Sequence, residues 1–278
     1  MQPDDAPLWS IVDPAWYLAF YPVVEALAGG QDEAAVVDVY HRLGQQLGHS
    51  PNPYFAESWY LARNPDVQAT FAAGALPSGF SHFCAYGHVD RAPHWLFDPI
   101  FYRKQYEQKH RTPYQQDSLG PPYTHFLQHG QFEGLSGHFL FDPSVYEALS
   151  DHETVTAIRE KGPFASFVSR LGLESVEPVA SNLFNPAWYL ARYPQVQEGV
   201  EDATWTCALE HYLTNGTPHA FDPSPLFSEA AYLAAHADVR EAVARGDVRN
   251  GYEHYRLNGR LELRRFSPAG ACQTGSPA

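Results

Sequence analysis

Cysteine is scarce in this chain. The three present, Cys84, Cys207 and Cys272, are odd in number and far apart among 278 residues. They supply neither a disulfide framework nor a CxxC zinc pattern, so a reduced, cytoplasmic setting is expected. Long apolar runs are missing too. No stretch of about 18 apolar residues occurs, and none is expected to span a membrane. The opening "MQPDDAPLWS" has no basic start and no apolar core, so it does not read as a secretory signal. Basic residues are few: 18 Lys and Arg stand against 32 Asp and Glu, a net charge of -14. Duplex nucleic acid needs a basic surface that releases counterions, so it is excluded as an expected partner. The local exception is Arg256, Arg260, Arg264 and Arg265, which reads as a positive helix end matched to the macrodipole.

Catalytic signatures are also lacking. There is no GxSxG elbow, no Walker loop and no GxGxxG after a strand; "GQFEGLSG" at 130–137 has the wrong spacing. His125 and His129 share a helix face, but no HExxH motif accompanies them, and no metal or cofactor site is expected.

Aromatic residues, by contrast, are abundant at 14%, with 23 Pro and 20 Gly to punctuate short elements. The phrase "IVDPAWYLAFYPVV" at 11–24 returns as "YFAESWYLARNPDV" at 54–67 and "LFNPAWYLARYPQV" at 183–196. Its tyrosine recurs as Tyr17, Tyr60, Tyr102, Tyr146, Tyr189 and Tyr232, spaced 42 to 44 residues apart. A glycine recurs in the same period: Gly44, Gly87, Gly130, Gly172, Gly216 and Gly259. Two markers in one period define six units of about 43 residues, roughly 11–53, 54–95, 96–139, 140–182, 183–225 and 226–268. The tail 269–278 is small and polar and reads as disordered.

Each unit reads as three short helices. Asp13, Asp98, Asp142, Asn185 and Ser228 stand four residues before the tyrosine as N-caps, with Ala56 the exception. Pro14, Pro99, Pro143 and Pro186 follow at the first helical position; Glu57 and Glu229 stand there in the other two units, where a carboxylate suits the positive helix end. The preceding apolar residue, Val12, Phe55, Phe97, Phe141, Phe184 or Phe227, is placed to staple the helix. Pro22, Pro65 and Pro194 end the first helix and open a second. The third carries a ring (Tyr40, Phe83, Phe126, Tyr212, Tyr255; Val168 in the fourth unit) and ends at the recurring glycine, read as a left-handed cap. No strand-like alternation persists. The fold class is all-α, with six units stacked as a solenoid-like array because short helices cannot bury their apolar faces alone. The third and fourth units depart most from the pattern.

The residues Asn185, Pro186, Trp188, Tyr189, Leu190, Tyr193, Pro194 and Val196, continued by Leu209, His211, Tyr212, Leu213 and Gly216, carry a resemblance. The chain resembles the tandem helical repeats found beside glycosyltransferase domains in bacterial surface-polysaccharide proteins, including those of the rhamnan-synthesis type. The likeness runs from Asp13 to about Pro268; the "AEGR" ending of many such units survives only as Glu133-Gly134. The resemblance implies a non-catalytic scaffold or interaction module, whose partner would be a glycosyltransferase or envelope-assembly protein, or a polysaccharide.

Two alternatives stand beside it. A carbohydrate-binding module would use the recurrent Trp16, Trp59 and Trp188, whose rings can stack on sugar faces; a divergent glycosyltransferase-like enzyme would need a deep pocket in the irregular middle. Trp9, Trp95 and Trp205 lie outside the repeat and are candidates for a unique binding surface. The histidine before the ring, His82, His125, His211 and His254, with Val39 and Phe167 at that place in the first and fourth units, reads as a buried structural group that bonds within its unit. If the tyrosine anchors are core residues, Tyr189→Ala is expected to lower stability by about 3–5 kcal/mol in denaturant melts. A loss within about 0.5 kcal/mol would put the anchor on the surface.

Overall fold

A computed structural model describes residues 6–174 and 177–269. Among them the chain is all-helical, with 18 α-helices and no strand. It divides into two compact units, Met1–Ala180 and Ser181–Ala278. In the first, helices come in four triplets: Pro14–Phe20, Val23–Ala28 and Glu33–Val39; Glu57–Arg63, Pro65–Ala72 and Gly79–Ala85; Pro99–His110, Gln116–Leu119 and Pro122–His125; Pro143–Leu149, His152–Lys161 and Pro163–Arg170. The second holds two: Pro186–Arg192, Pro194–Glu201 and Ala208–Thr214; Glu229–Ala235, Ala237–Arg245 and Gly251–His254. Of the tail 269–278 expected to be disordered, Ala269 is described and its N–H meets the Pro225 carbonyl at 3.0 Å, while 270–278 lie outside the described residues.

Local chemistry explains where the first helices begin. Asp13 accepts from the Trp16 N–H, Asp98 from Ile100 and Phe101, Asp142 from Ser144 and Val145, Asn185 from Trp188 and Ser228 from Ala231. Proline at the next position has no N–H to satisfy. Glu57 and Glu229 do have one, and it is taken by Ser50 Oγ at 3.1 Å and Asp222 Oδ1 at 2.7 Å. The third, fourth and sixth triplets have no proline after the first helix; in the fourth and sixth it still ends after seven residues, but in the third it runs on for 12 residues to His110 and stops at Arg111 in the left-handed region.

Each triplet is closed by one backbone hydrogen bond. The capping residue's N–H meets a carbonyl 37 to 39 residues downstream: Asp13 to Pro51, Ala56 to Pro93, Asp98 to Gly137, Asp142 to Ala180, Asn185 to Pro223 and Ser228 to Ser267, at 2.7–3.1 Å. Next to five of these carbonyls a polar side chain turns the chain by accepting the N–H two residues on: Asn52, His94, His138, Ser181 and Ser224.

Inside the closed loop three rings meet. The anchor tyrosine lies 5.2–5.8 Å from the ring of the third helix in all six triplets. In five of them a phenylalanine before the cap lies 5.0–6.1 Å from the tyrosine. All six tyrosines are at most 2 % exposed. In the fourth triplet the ring is Phe167, not Val168: the insertion-free alignment is one residue out of register there.

The recurring glycines are not left-handed caps, with the single exception of Gly172 at φ 73°. A Cβ on Gly44, Gly87, Gly130 or Gly259 would stand 2.2–2.4 Å from the hydroxyl of its own triplet's anchor tyrosine. These glycines leave room for the phenol. Gly216 meets nothing within 4 Å. In three triplets the last turn before the glycine widens to a π-turn, at Tyr40–Gly44, Phe126–Gly130 and Tyr255–Gly259. Gly130→Ala is therefore expected to cost at least about 1–3 kcal/mol through overpacking against Tyr102, whereas Gly216→Ala stays within about 0.5 kcal/mol. Paired thermal melts check this; equal losses would mean the glycines serve the backbone and not the hydroxyl.

Candidate functional site

The histidines pair with the anchor tyrosines, one in each triplet that has them; His125 and His211 are buried and His49, His82 and His254 half-buried. Tyr60 Oη lies 2.9 Å from His82 Nδ1, Tyr102 2.6 Å from His125, Tyr189 2.8 Å from His211 and Tyr232 3.1 Å from His254. In the first triplet Val39 replaces the histidine, and His49, ten residues further on, fills the place at 2.8 Å from Tyr17 Oη. In the fourth, Tyr146 Oη lies 3.2 Å from Ser166 Oγ and accepts from Arg170 Nη1 at 3.3 Å.

Burial, the largest cause in each case, lowers the pKa of His49, His82, His125, His211 and His254; His211 falls to about 4. Burial also raises Tyr17, Tyr60, Tyr102 and Tyr232 above the usual phenol range. A protonated phenol therefore faces a neutral imidazole, a pairing that satisfies a buried hydroxyl and holds a tautomer.

Other sequence candidates are placed as follows. Trp9 and Trp95 do not form a surface. Trp9 is buried edge-on to Phe83 at 5.0 Å, and its Nε1 donates to Thr124 Oγ1 at 3.0 Å; Trp95 is buried beside His94. Trp205 is half-buried over Gly199, with its ring T-shaped to that of His211 at 5.1 Å. Trp16 is buried and stacked on Phe20, and Trp59 and Trp188 are half-buried, so the recurrent tryptophans present no exposed row. His125 and His129 have ring centroids 5.3 Å apart, and among the described residues no group of three His, Cys, Asp or Glu side chains could hold a metal. Cys84 and Cys207 are in no disulfide; Cys272 lies outside the described residues.

The irregular fourth triplet holds a cleft of about 320 Å³, lined in part by Tyr146, Asp151, Arg170, Glu174, Glu177 and Val179. Its polar groups face one another. Arg170 donates to Thr154 Oγ1 at 2.6 Å and to Glu174 through Nη2 at 3.0 Å and through Nε, and Asp151 caps the Thr154 N–H at 2.8 Å. That hydrogen bonding holds the Asp151 carboxyl below the usual range, which suits a cap and not a proton donor.

Two carboxylates escaped sequence reasoning. Glu57 and Glu229 do not serve their own helix start. They reach across the triplet and accept from the first N–H groups of the third helix: Gly79 and Phe80 at 2.5 and 2.9 Å, Gly251 and Tyr252 at 2.5 and 3.0 Å. Gln131 does the same for the fourth triplet, accepting from Ala165 at 3.1 Å. The only signal was that Glu stands where four units have Pro.

Compared with protein families, curated proteins and solved structures, the chain matches none.

Burial raises Glu57 and Glu229 from 4.5 to about 7, against the lowering by their two backbone bonds. An acid raised in the folded state holds its proton more tightly there than when unfolded. Its contribution is thus favourable at low pH and lost as pH rises from about 4.5 to about 7. The lowered histidines act with the opposite sign below pH 6.5, so the comparison must be with a variant. Relative to Glu57→Gln, the wild type is expected to lose up to about 3 kcal/mol between pH 4.5 and 7 and nothing further above it. Denaturant titrations of both proteins across that window check this; parallel curves would show an unshifted carboxyl.

Proposed function

We propose that this chain is a non-catalytic scaffold: six three-helix repeats stacked as a solenoid-like array that holds a partner protein. The observation that carries it is a recurrent exposed apolar residue just after the glycine marker. Leu47, Val89, Phe132 and Leu173 in the first compact unit, and Leu261 in the second, are 39–86 % exposed and fall within three residues of Gly44, Gly87, Gly130, Gly172 and Gly259. A single exposed leucine has no meaning on its own. Recurrence at one place in five of six triplets is a pattern, and it offers regularly spaced contacts of the kind repeat scaffolds use. Meanwhile the histidines, tyrosines and acidic caps that chemistry would need are engaged inside the triplets.

The resemblance to repeats beside bacterial glycosyltransferases supplies the context. The partner is a glycosyltransferase or other envelope-assembly protein, and the process is assembly of a surface polysaccharide. Direct glycan binding is the weaker alternative, since the recurrent tryptophans are not exposed.

An affinity capture from lysate of the source organism tests this, run with wild type and with Leu47→Glu/Val89→Glu/Phe132→Glu. Substitutions at exposed positions leave the melting temperature nearly unchanged. A glycosyltransferase or envelope-assembly protein held by wild type and reduced tenfold or more by the variant is the expected result, a loss of about 1.4 kcal/mol or more. Equal recovery by both proteins overturns the assignment of this row, and recovery of polysaccharide alone moves the function to glycan binding.

A further inference from the structure

The first and last triplets each carry an apolar patch that their sister triplets lack. On the second helix, Val24, Val67, Val196 and Val239 are the equivalent buried residues. The residue before it is Val23 in the first triplet but Asp66, Gln195 and Asp238 in the others. Three residues after it comes Leu27 in the first triplet but Thr70, Gly199 and Ala242 elsewhere. Val23 and Leu27, spaced i and i+4 on one helix face, are both exposed. Exposed carboxylates of Glu25, Asp32 and Glu33 surround them in sequence. Residues 6–50 hold five carboxylates and one arginine.

The C-terminal end of the last triplet has the complementary composition. Leu261 and Leu263 are the two most exposed large apolar side chains among the described residues, with Leu257 and Phe266 also exposed. Residues 251–268 hold four arginines and two carboxylates, the reverse balance in a chain of net charge -14. Arg264 is paired with Asp238 and Glu262, while Arg260 and Arg265 are exposed and make no ion pair among the described residues.

Leu263 also sits in an unfavourable backbone. The turn after the glycine is the same in three triplets: His49 N–H meets the Gly44 carbonyl, Leu135 the Gly130 carbonyl and Arg264 the Gly259 carbonyl, at 2.8–2.9 Å. The residue before the donor is left-handed in each. It is Gly48 at φ 74°, Gly134 at φ 73° and Leu263 at φ 55°. A leucine is strained there where its equivalents are glycine, and it is almost wholly in solvent. Folding of the triplet gains nothing from that side chain.

We infer that the last triplet of one copy docks on the first triplet of a second copy, with Leu261 and Leu263 against Val23 and Leu27 and Arg260 and Arg265 against Glu25, Asp32 and Glu33. The contact is heterologous: two different surfaces meet, so copies add head to tail. Exposed charges contribute, so added salt weakens the association. The inference needs no outside partner; it shares Leu261 with the scaffold row above, and the other four residues of that row take no part in it.

Sedimentation velocity on the purified full chain over a range of concentrations tests it, with two variants. The head variant Val23→Asp/Leu27→Thr copies the residues of the second triplet. The tail variant Leu261→Glu/Leu263→Gly restores the glycine of the sister turns, so its melting temperature is expected to be no lower than that of wild type. Wild type is expected to rise in mass with concentration, each variant alone to stay monomeric, and an equimolar mixture of the two to form a dimer and nothing larger, since one good head and one good tail remain. A wild type monomeric at every concentration overturns the inference. So does self-association of the head variant alone, which would mean tail-to-tail contact. Monomeric wild type that instead sediments with phosphatidylserine vesicles through the tail patch would assign that patch to an anionic membrane surface and overturns it too.

Discussion

A buried phenol sets the terms for this structure. Six anchor tyrosines are withdrawn from water, and a buried hydroxyl without a partner costs about 1–3 kcal/mol. Each triplet must therefore deliver a hydrogen-bonding group to one point and leave space for the oxygen there. Four do so with a histidine on the third helix, and in three of those a glycine stands beside the hydroxyl where any Cβ would collide. The two markers of the repeat are thus two sides of one contact. Where the contact changes, the hydroxyl finds another partner; the fifth triplet instead keeps His211 although Gly216 meets nothing within 4 Å. The fourth triplet has Leu171 four residues after its ring, and its hydroxyl turns to Ser166 and Arg170 instead. The first has valine in the histidine's place, and His49 arrives from beyond the glycine.

The same contact accounts for the lengths of the helices. Four to twelve residues are too few for a stable helix in isolation. The first helix is held by its tyrosine to the ring of the third. The cap that starts it is also the residue whose N–H closes the loop 37 to 39 residues later. A cap, a ring and a closing bond are then one cooperative arrangement. Pro and Glu at the first helical position are two ways of leaving no orphan N–H, one by removing the donor and one by borrowing Ser50 or Asp222 as acceptor. The freed glutamate side chain is long enough to cap the third helix as well.

Much of this was legible because it is local. Caps, prolines and the tyrosine period are written in adjacent residues, and the helical class and the starts of the first helices follow from them. What was not legible depends on distance in space. The glycines look like left-handed caps because glycine usually is one at a helix end; only the tyrosine hydroxyl, 27 or 28 residues earlier in the chain, shows that they are spaces. Val168 looked like the ring position because the four-residue offset from the glycine marker was carried through a triplet where that spacing is five, and Phe167 occupies it in three dimensions. Trp9 and Trp95 looked free because they fall outside the repeat. Trp9 is in fact anchored on Thr124, 115 residues away, a pairing that no periodicity encodes.

The internal use of these groups bears directly on function. A histidine acts in proton transfer when its pKa lies near the working pH and its nitrogens face a substrate. Here the repeated imidazoles are shifted downward by burial and their Nδ1 atoms are committed to phenols, so they are poor bases by environment as well as by position. The cleft of the fourth triplet repeats the pattern, since its arginine is engaged by Thr154 and Glu174 and Asp151 caps a helix N–H. Because the repeated tyrosines and histidines are paired within their triplets, variation is freest where a side chain touches nothing else. That place is the turn after the glycine, where the helix ends and the next residues emerge into solvent. A leucine strained at φ 55° in that turn, where sister turns keep glycine, is costly to the triplet that holds it, and so its reason has to be sought in what it meets outside.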